Sequence, residues 1–176
     1  MAIDQKHLGR RYGPYRFTVG LEHLRDFAAA TGGGVPGRVF RAPPRDAHAW
    51  TWDEAAAAKS PHRGLVAPPS YAACFAIEPF AAACTDPELG IEVVRLVHGE
   101  QAFEWLGPLR PGDVLTTTGE ITSLRQKGPL DFVEVTTTSV NQRGETVVRG
   151  VWTAVIRNGW AVGLLLALQR VLRLGR

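Results

Sequence analysis

The stretch SYAACFAIEPFAAAC, residues 70–84, decides the fold. Its side chains are apolar on nearly every face of a helix, and the paired prolines Pro68 and Pro69 stand where a helix tolerates residues without an amide hydrogen. We therefore predict a helix from about Pro69 to Cys84. A helix that is apolar all round is normally buried, so another part of the fold must enclose it.

The chain after Gly90 supplies that enclosure. Four segments rich in Val, Thr, Ile and Phe are separated by the turn sequences PGD, KGP and NQRG, and they span 91–103, 113–124, 132–141 and 146–156. A meander of four successive antiparallel strands suits the helix, because the sheet needs one covered face. The expected fold is α+β, an antiparallel curved sheet wrapped around a central apolar helix, which is the hotdog arrangement.

Three shorter elements are predicted before the central helix. Tyr15 to Val19 has the composition of a strand, and Leu21 to Ala30 has apolar residues at helical spacing. Asp53 to Lys59 places acids first and a lysine last, which favours a short helix. Between them, GGGVPGRVFRAPPR at 32–45 resists regular structure and is predicted to be an exposed insertion.

Chain length and charge limit the number of domains and the class of partner. With 176 residues the chain fits one domain, which we place at 1–158, followed by an apolar and basic helical tail at 159–176. A bilayer needs about 20 residues, so the tail is too short to span one. It is predicted to pack against a partner subunit, with contact to an anionic membrane surface as the alternative. The net charge of +3 is too small to indicate nucleic acid binding.

The cysteines and the N-terminal sequence indicate a reducing compartment. Cys74 and Cys84 lie in one apolar stretch without the spacing or histidine companions of a metal site, so buried free thiols and no metal are predicted. The opening MAIDQKHLGRRYG has no apolar segment of a secretory signal. We expect an intracellular, cytoplasmic protein.

Four segments together carry a family resemblance: FAAATG (27–32), WDEAAAA (52–58), RGLVAPPSYAA (63–73) and VVRLVHGEQAFEWLGPLRPGDVL (93–115). In this order they resemble the N-terminal-type MaoC-like dehydratases, including small subunits of mycobacterial-type hydroxyacyl-carrier-protein dehydratases. The resemblance implies (R)-specific hydration of enoyl thioesters or the reverse dehydration. The implied substrate is an acyl-CoA or acyl-ACP thioester, with no cofactor. It also implies a homodimer, or a heterodimer with a catalytic MaoC-like subunit.

The resemblance also locates a candidate catalytic stretch. Active members carry a pattern like DxNPxHxD, whose first Asp and His hold the reacting water. The comparable stretch here is DAHAWTWDEAAAA, which places Asp46 at the catalytic Asp and Thr51 at the catalytic His. Threonine cannot act as the base, because its hydroxyl does not titrate near neutral pH. His48 leaves two interpretations open: a rearranged dyad with Asp46, or an ordinary loop histidine beside a turn aspartate.

A second departure concerns the oxyanion hole, the amide that stabilises negative charge on the thioester oxygen. Active relatives have a glycine at the helix start in a run like IAHG, whereas this chain has VAPP with Pro69 at the glycine position. Ser70 or Tyr71 would have to donate instead. The implied substrate-binding residues are Gly64, Pro68, Pro69, Ser70 and Tyr71.

The two departures leave several functions open. The leading hypothesis is a MaoC-like (R)-3-hydroxyacyl-thioester dehydratase or enoyl-CoA hydratase, or a subunit of one. The alternatives are a non-catalytic acyl-binding subunit and a hotdog thioesterase, since fold alone does not fix function. Of the remaining candidates, His62 is predicted to be loop surface and His98 structural. The RPGD sequence at 110–113 is predicted to be a structural turn, with phosphate contacts by Arg63 and Arg110 as the alternative.

Overall fold

The computed structural model describes residues 3–31 and 49–158. The chain forms five strands and three α-helices there, joined by short 3-10 turns. In chain order the elements are β1 (Arg11–Thr18), α1 (Leu21–Ala30), α2 (Glu54–Lys59), α3 (Glu78–Cys84), β2 (Leu96–Trp105), β3 (Val114–Lys127), β4 (Leu130–Val140) and β5 (Thr146–Arg157). The insertion predicted at 32–45 and the tail predicted at 159–176 lie outside the described residues.

The five strands form one antiparallel sheet in the order β1-β3-β4-β5-β2. The expected meander is therefore correct for β3, β4 and β5 and wrong for β2, which crosses over to pair with β5 at the far edge. The pairing register shifts at one point in each strand pair, as it does at a β-bulge. Because bulges bend the strands that contain them, the sheet is curved. The predicted hotdog fold class is confirmed.

One face of the sheet carries the core. Alternate residues of β4 are buried, Val133 and Val135 among them, and Trp152 of β5 is buried on the same face. The helix α3 packs on this face against β1, β3 and β4, with Phe80 stacked on Trp152 at 5.7 Å between ring centroids. The apolar segment thus lies against the covered face, as its composition requires.

The predicted helix from Pro69 to Cys84 is wrong in its continuity. A 3-10 turn spans Pro69–Cys74, and the α-helix begins only at Glu78. The break has a physical reason, because Pro79 has no amide hydrogen to donate to the carbonyl of Phe75 and therefore belongs in the first turn of a helix. Tyr71 and Phe75 are fully buried, so the burial predicted for the segment is correct.

Close contact between α3 and β3 requires a glycine. A Cβ atom at Gly119 would collide with the ring of Pro79 and press on Val135. The glycine therefore lets the first turn of α3 lie directly on the sheet.

The shorter elements agree closely with the sequence. The helix α1 has the predicted bounds, and Asp53 caps α2 by accepting a hydrogen bond from the Ala56 amide at 3.0 Å. The strand β1 begins earlier than predicted, at Arg11. Cys74 and Cys84 are free thiols, and burial raises the pKa of Cys84 to about 11. Within the described ranges, no helix has the length and apolar composition to cross a bilayer.

Candidate functional site

A cavity of about 480 Å³ opens at one end of the sheet. Its walls come from the 3-10 turn Ala49–Thr51, from the loop before the buried segment, and from residues 105–109 at the end of β2. Buried Thr51, Val66 and Leu109 form its floor, and exposed His62 and Leu106 lie at its rim. The cavity is therefore lined mainly by apolar residues, with Thr51 on its floor and His62 at its rim as polar exceptions.

Thr51, the residue at the expected histidine position, lines this cavity. Its side chain is on the floor, with the residue only 2% exposed, and Trp50 lines the wall beside it. The alignment of residues 46–58 with the family pattern therefore leads to a cavity, but the group found there has no titratable proton near neutral pH. Asp46 and His48 lie outside the described residues, so their assignment stays a prediction.

His62 is the only titratable side chain among the described residues that line the cavity. Its ring lies 6.1 Å from the Trp50 ring, centroid to centroid. The sequence interpretation of His62 as exposed is correct, yet it missed the position at the cavity rim. The available signal was its place just before RGLVAPP, the segment that leads into the buried helix.

Arg110 holds the loop that carries His62. Its guanidinium donates to the His62 carbonyl at 2.7 Å and to the Leu65 carbonyl at 3.3 Å. Gly64 leaves room for this guanidinium, because a Cβ there would lie 2.8 Å from Nη1. The neighbouring Arg63 has φ 51°, a left-handed conformation that is uncommon for residues other than glycine. The loop is therefore fixed in an unusual conformation.

The RPGD turn fixes Arg110 in its own place. The Asp113 carboxylate accepts a hydrogen bond from the Arg110 amide at 2.8 Å, and Gly112 adopts φ 88°. The structure thus shows the structural turn that the sequence indicates. Arg110, whose guanidinium is bonded to two carbonyls, therefore holds the loop from His62 to Leu65 in place.

At the start of the buried segment, the amides of Tyr71 and Ser70 differ in their partners among the described residues. The Tyr71 amide donates to the Pro68 carbonyl at 2.9 Å, whereas no described residue accepts from the Ser70 amide. The Tyr71 hydroxyl bonds His23 Nδ1 at 2.9 Å, and burial raises the pKa of Tyr71. Tyr71 is therefore committed to the core. Neither Ser70 nor Tyr71 is among the described residues that line the cavity, so the oxyanion donor stays a prediction.

Of the other predicted binding residues, some line the cavity and some do not. Pro69 lines the cavity, and its carbonyl accepts a hydrogen bond from Trp105 Nε1 at 3.0 Å. Pro68 and Gly64 are not among the described cavity residues. His98 lies on the exposed edge strand, with its ring 5.3 Å from Phe80, which fits a structural role. In the described ranges, no group of three His, Cys, Asp or Glu residues is arranged to hold a metal ion.

Comparison with known proteins places this geometry in a family. A family model described as the FAS1-like dehydratase domain region matches residues 6–149. The chain belongs to this family. A UPF0336 protein from Streptomyces griseus is 32% identical over 158 residues, covering 89% of this chain and 97% of that protein.

Solved structures share the fold of this FAS1-like dehydratase family member. The C-terminally truncated HadBC (3R-hydroxyacyl-ACP dehydratase) complex from Mycobacterium tuberculosis matches with TM-score 0.68 and 24% identity, covering 88% of this chain and 99% of that chain. The R-hydratase PhaJ1 from Pseudomonas aeruginosa matches with TM-score 0.60 and 20% identity, covering 86% and 83%. These likenesses show the fold, and the resemblance to MaoC-like dehydratases is confirmed.

Proposed function

We propose that this chain is the acyl-thioester-binding component of a MaoC-like (R)-3-hydroxyacyl-thioester dehydratase or enoyl-thioester hydratase. The observation that carries the proposal is Thr51 on the floor of the cavity, at the position where the family pattern has its catalytic histidine. A chain that retains the cavity and lacks that base is suited to hold the substrate while a partner transfers the proton.

The cavity suits the acyl part of such a substrate. Val66 and Leu109 are buried on its floor, so an alkyl chain that contacts them leaves water for apolar surface. The Ser70 amide, which directly follows the cavity-lining Pro69, is the proposed hydrogen-bond donor to the thioester oxygen. Coenzyme A and acyl carrier protein both remain candidates for the carrier.

The edge strand β2 is the proposed surface for a partner subunit. Its residues 97–102 are all exposed, and Val97 is 62% exposed. A long exposed edge with apolar side chains is a template for pairing with another sheet. The solved HadBC neighbour is a complex, which supports a MaoC-like subunit as the partner. A heterodimer is favoured over a homodimer, because two copies of Thr51 would not supply a base.

Hydration assays with and without a partner test the proposal. The full chain alone is expected to leave the conjugated absorbance of an enoyl-CoA unchanged while binding it in titration calorimetry. Adding a partner chain that carries DxNPxHxD is expected to produce loss of that absorbance. Hydration by the chain alone, or no binding of enoyl-CoA under either condition, would contradict the proposal. Release of free thiol would instead identify a thioesterase.

A rearranged dyad of Asp46 and His48 is the second candidate. It is favoured by the position of both residues shortly before Trp50 and Thr51, which line the cavity. If the chain alone hydrates enoyl-CoA, Asp46→Asn and His48→Gln are each expected to abolish that activity with little loss of stability. Full activity in both variants would exclude Asp46 and His48 as the catalytic dyad.

A further inference from the structure

We propose that His62 recognises the first amide of the pantetheine arm of the thioester, and so distinguishes carrier-borne acyl groups from simple thioesters. This inference rests on the proposed function, because it assumes that an acyl thioester occupies the cavity. It assigns His62 a substrate contact that is separate from proton transfer.

The burial gradient of the cavity fixes the orientation of the ligand. Leu109 on the floor is 1% exposed, whereas Leu106 at the rim is 46% exposed, and His62 is exposed beside the same opening. An amphipathic ligand places its alkyl part on the floor and its polar part at the rim, since this buries the most apolar surface. The part of the carrier arm just beyond the sulfur atom therefore passes His62.

The chemistry of the imidazole matches an amide. A neutral imidazole has one N–H donor and one acceptor nitrogen, and an amide likewise has one donor and one acceptor. The hydrogen bonds that described residues make to His62 reach its backbone amide and carbonyl, and none of them uses a ring nitrogen. The rest of the described lining carries no ionisable side chain that would compete for the amide.

The backbone of the loop that carries this side chain is fixed before a ligand arrives. Arg110 fixes the carbonyls of His62 and Leu65, and Arg63 keeps a left-handed φ of 51° between them. The Trp50 ring supports the imidazole at 6.1 Å. Preorganisation of this kind lowers the entropic cost of binding.

Two probes of equal length isolate the amide. The N-acetylcysteamine thioester of trans-2-octenoic acid carries it, and the S-pentyl thioester of the same acid replaces it with methylene groups. Titration calorimetry on the full chain is expected to show the first probe binding about 3- to 10-fold more tightly, the range of one net hydrogen bond.

Variants then assign that preference to His62. His62→Phe keeps a ring against Trp50 and is expected to abolish the preference without changing the affinity for the S-pentyl thioester. His62→Gln has an amide donor and acceptor of its own, so it is expected to retain part of the preference. Lys127→Phe, at an exposed position outside the described cavity lining, is the control and is expected to behave as the wild type.

The outcomes separate the two proposals. A preference that persists in His62→Phe, or an equal affinity of the wild type for both probes, would overturn the role of His62 alone. An equal loss of affinity for both probes in His62→Phe would do the same, because it would indicate general damage to the cavity. Failure of the wild type to bind either probe would overturn the proposed function together with this inference.

Discussion

Arg110 donates from Nη2 to the carbonyl of His62 at 2.7 Å, a bond between a turn after β2 and a loop before the buried segment. The same guanidinium reaches Leu65, so one side chain fixes both ends of the loop at the cavity rim. Charged donors to carbonyl groups stabilise a fold more than neutral ones do.

Replacement of this arginine is expected to release the loop. Arg110→Met should lower the free energy of unfolding by about 1–2 kcal/mol and speed amide hydrogen exchange at residues 62–65. Urea denaturation and exchange mass spectrometry measure the two effects. Arg11→Met removes an exposed ion pair and should cost less than about 1 kcal/mol. An unchanged rate of amide hydrogen exchange in the loop of Arg110→Met would contradict this role of Arg110.

Thr51 is expected to be dispensable for proton transfer. In the complex with a catalytic partner, Thr51→Val should change kcat by less than about tenfold, whereas loss of a general base costs about 10²–10⁴-fold. The steady-state rate of enoyl-CoA hydration is the measurement. A loss of kcat in the larger range, in a variant whose circular dichroism shows an intact fold, would show that Thr51 takes part in proton transfer.

A side chain at position 119 is expected to destabilise the protein. Gly119→Ala drives a methyl group into Pro79 and should destabilise the protein by about 1–3 kcal/mol, the cost of overpacking a core. Gly107→Ala is the control, because its nearest neighbour, a methyl of Val147, lies at 3.8 Å. Denaturation midpoints that are equal in the two variants would show that α3 can move away from the sheet.

Asp86 is expected to make stability depend on acid pH. Burial raises the pKa of this carboxyl, but hydrogen bonds from the Glu88 amide and the Tyr12 hydroxyl and the charge of Arg10 outweigh that effect. The pKa in the folded protein is therefore below its ordinary value of 3.8.

A lowered carboxyl pKa stabilises the fold above the ordinary value, and this contribution disappears as pH falls through the folded value. Asp86→Asn should therefore cost about 1–3 kcal/mol at pH 7 and progressively less below about pH 4. Unfolding curves measured from pH 7 to pH 2 provide the check. A cost that stays constant to pH 2 would exclude the charge of Asp86 as its source.

Asp131 is expected to be a site where a buried polar side chain reduces stability. Its side chain is on the covered face of β4, the residue is 3% exposed, and no described residue donates to either carboxylate oxygen. A buried polar group without a partner costs about 1–3 kcal/mol, so Asp131→Leu should raise the free energy of unfolding by a similar amount. Lys127→Leu, at an exposed position at the end of β3, should change it by less than about 0.5 kcal/mol. A fall in stability would mean that the carboxylate has a stabilising partner outside the described residues.

Local patterns in the sequence predicted more of the fold than of the site. The bounds of α1 and the cap of α2 follow from apolar spacing and from Asp53, because both depend on residues close in sequence. The position of β2 beside β5 was missed, since alternation of side chains shows which face is buried and not which strand is the neighbour. His62 was missed for a related reason, because its approach to Trp50 and Thr51 is a product of tertiary packing.

The placement of β5 between β4 and β2 also governs how the chain can fold during synthesis. The strand β2 leaves the ribosome before β3 and β4, but its hydrogen-bonding partner β5 is the last strand of the sheet to emerge. Before β5 emerges, β2 has no strand to pair with, and the core lacks Trp152. Nascent chains that end before β5 should therefore bind chaperones and resist refolding, whereas chains that extend past Asn158 should acquire protease resistance in a single step.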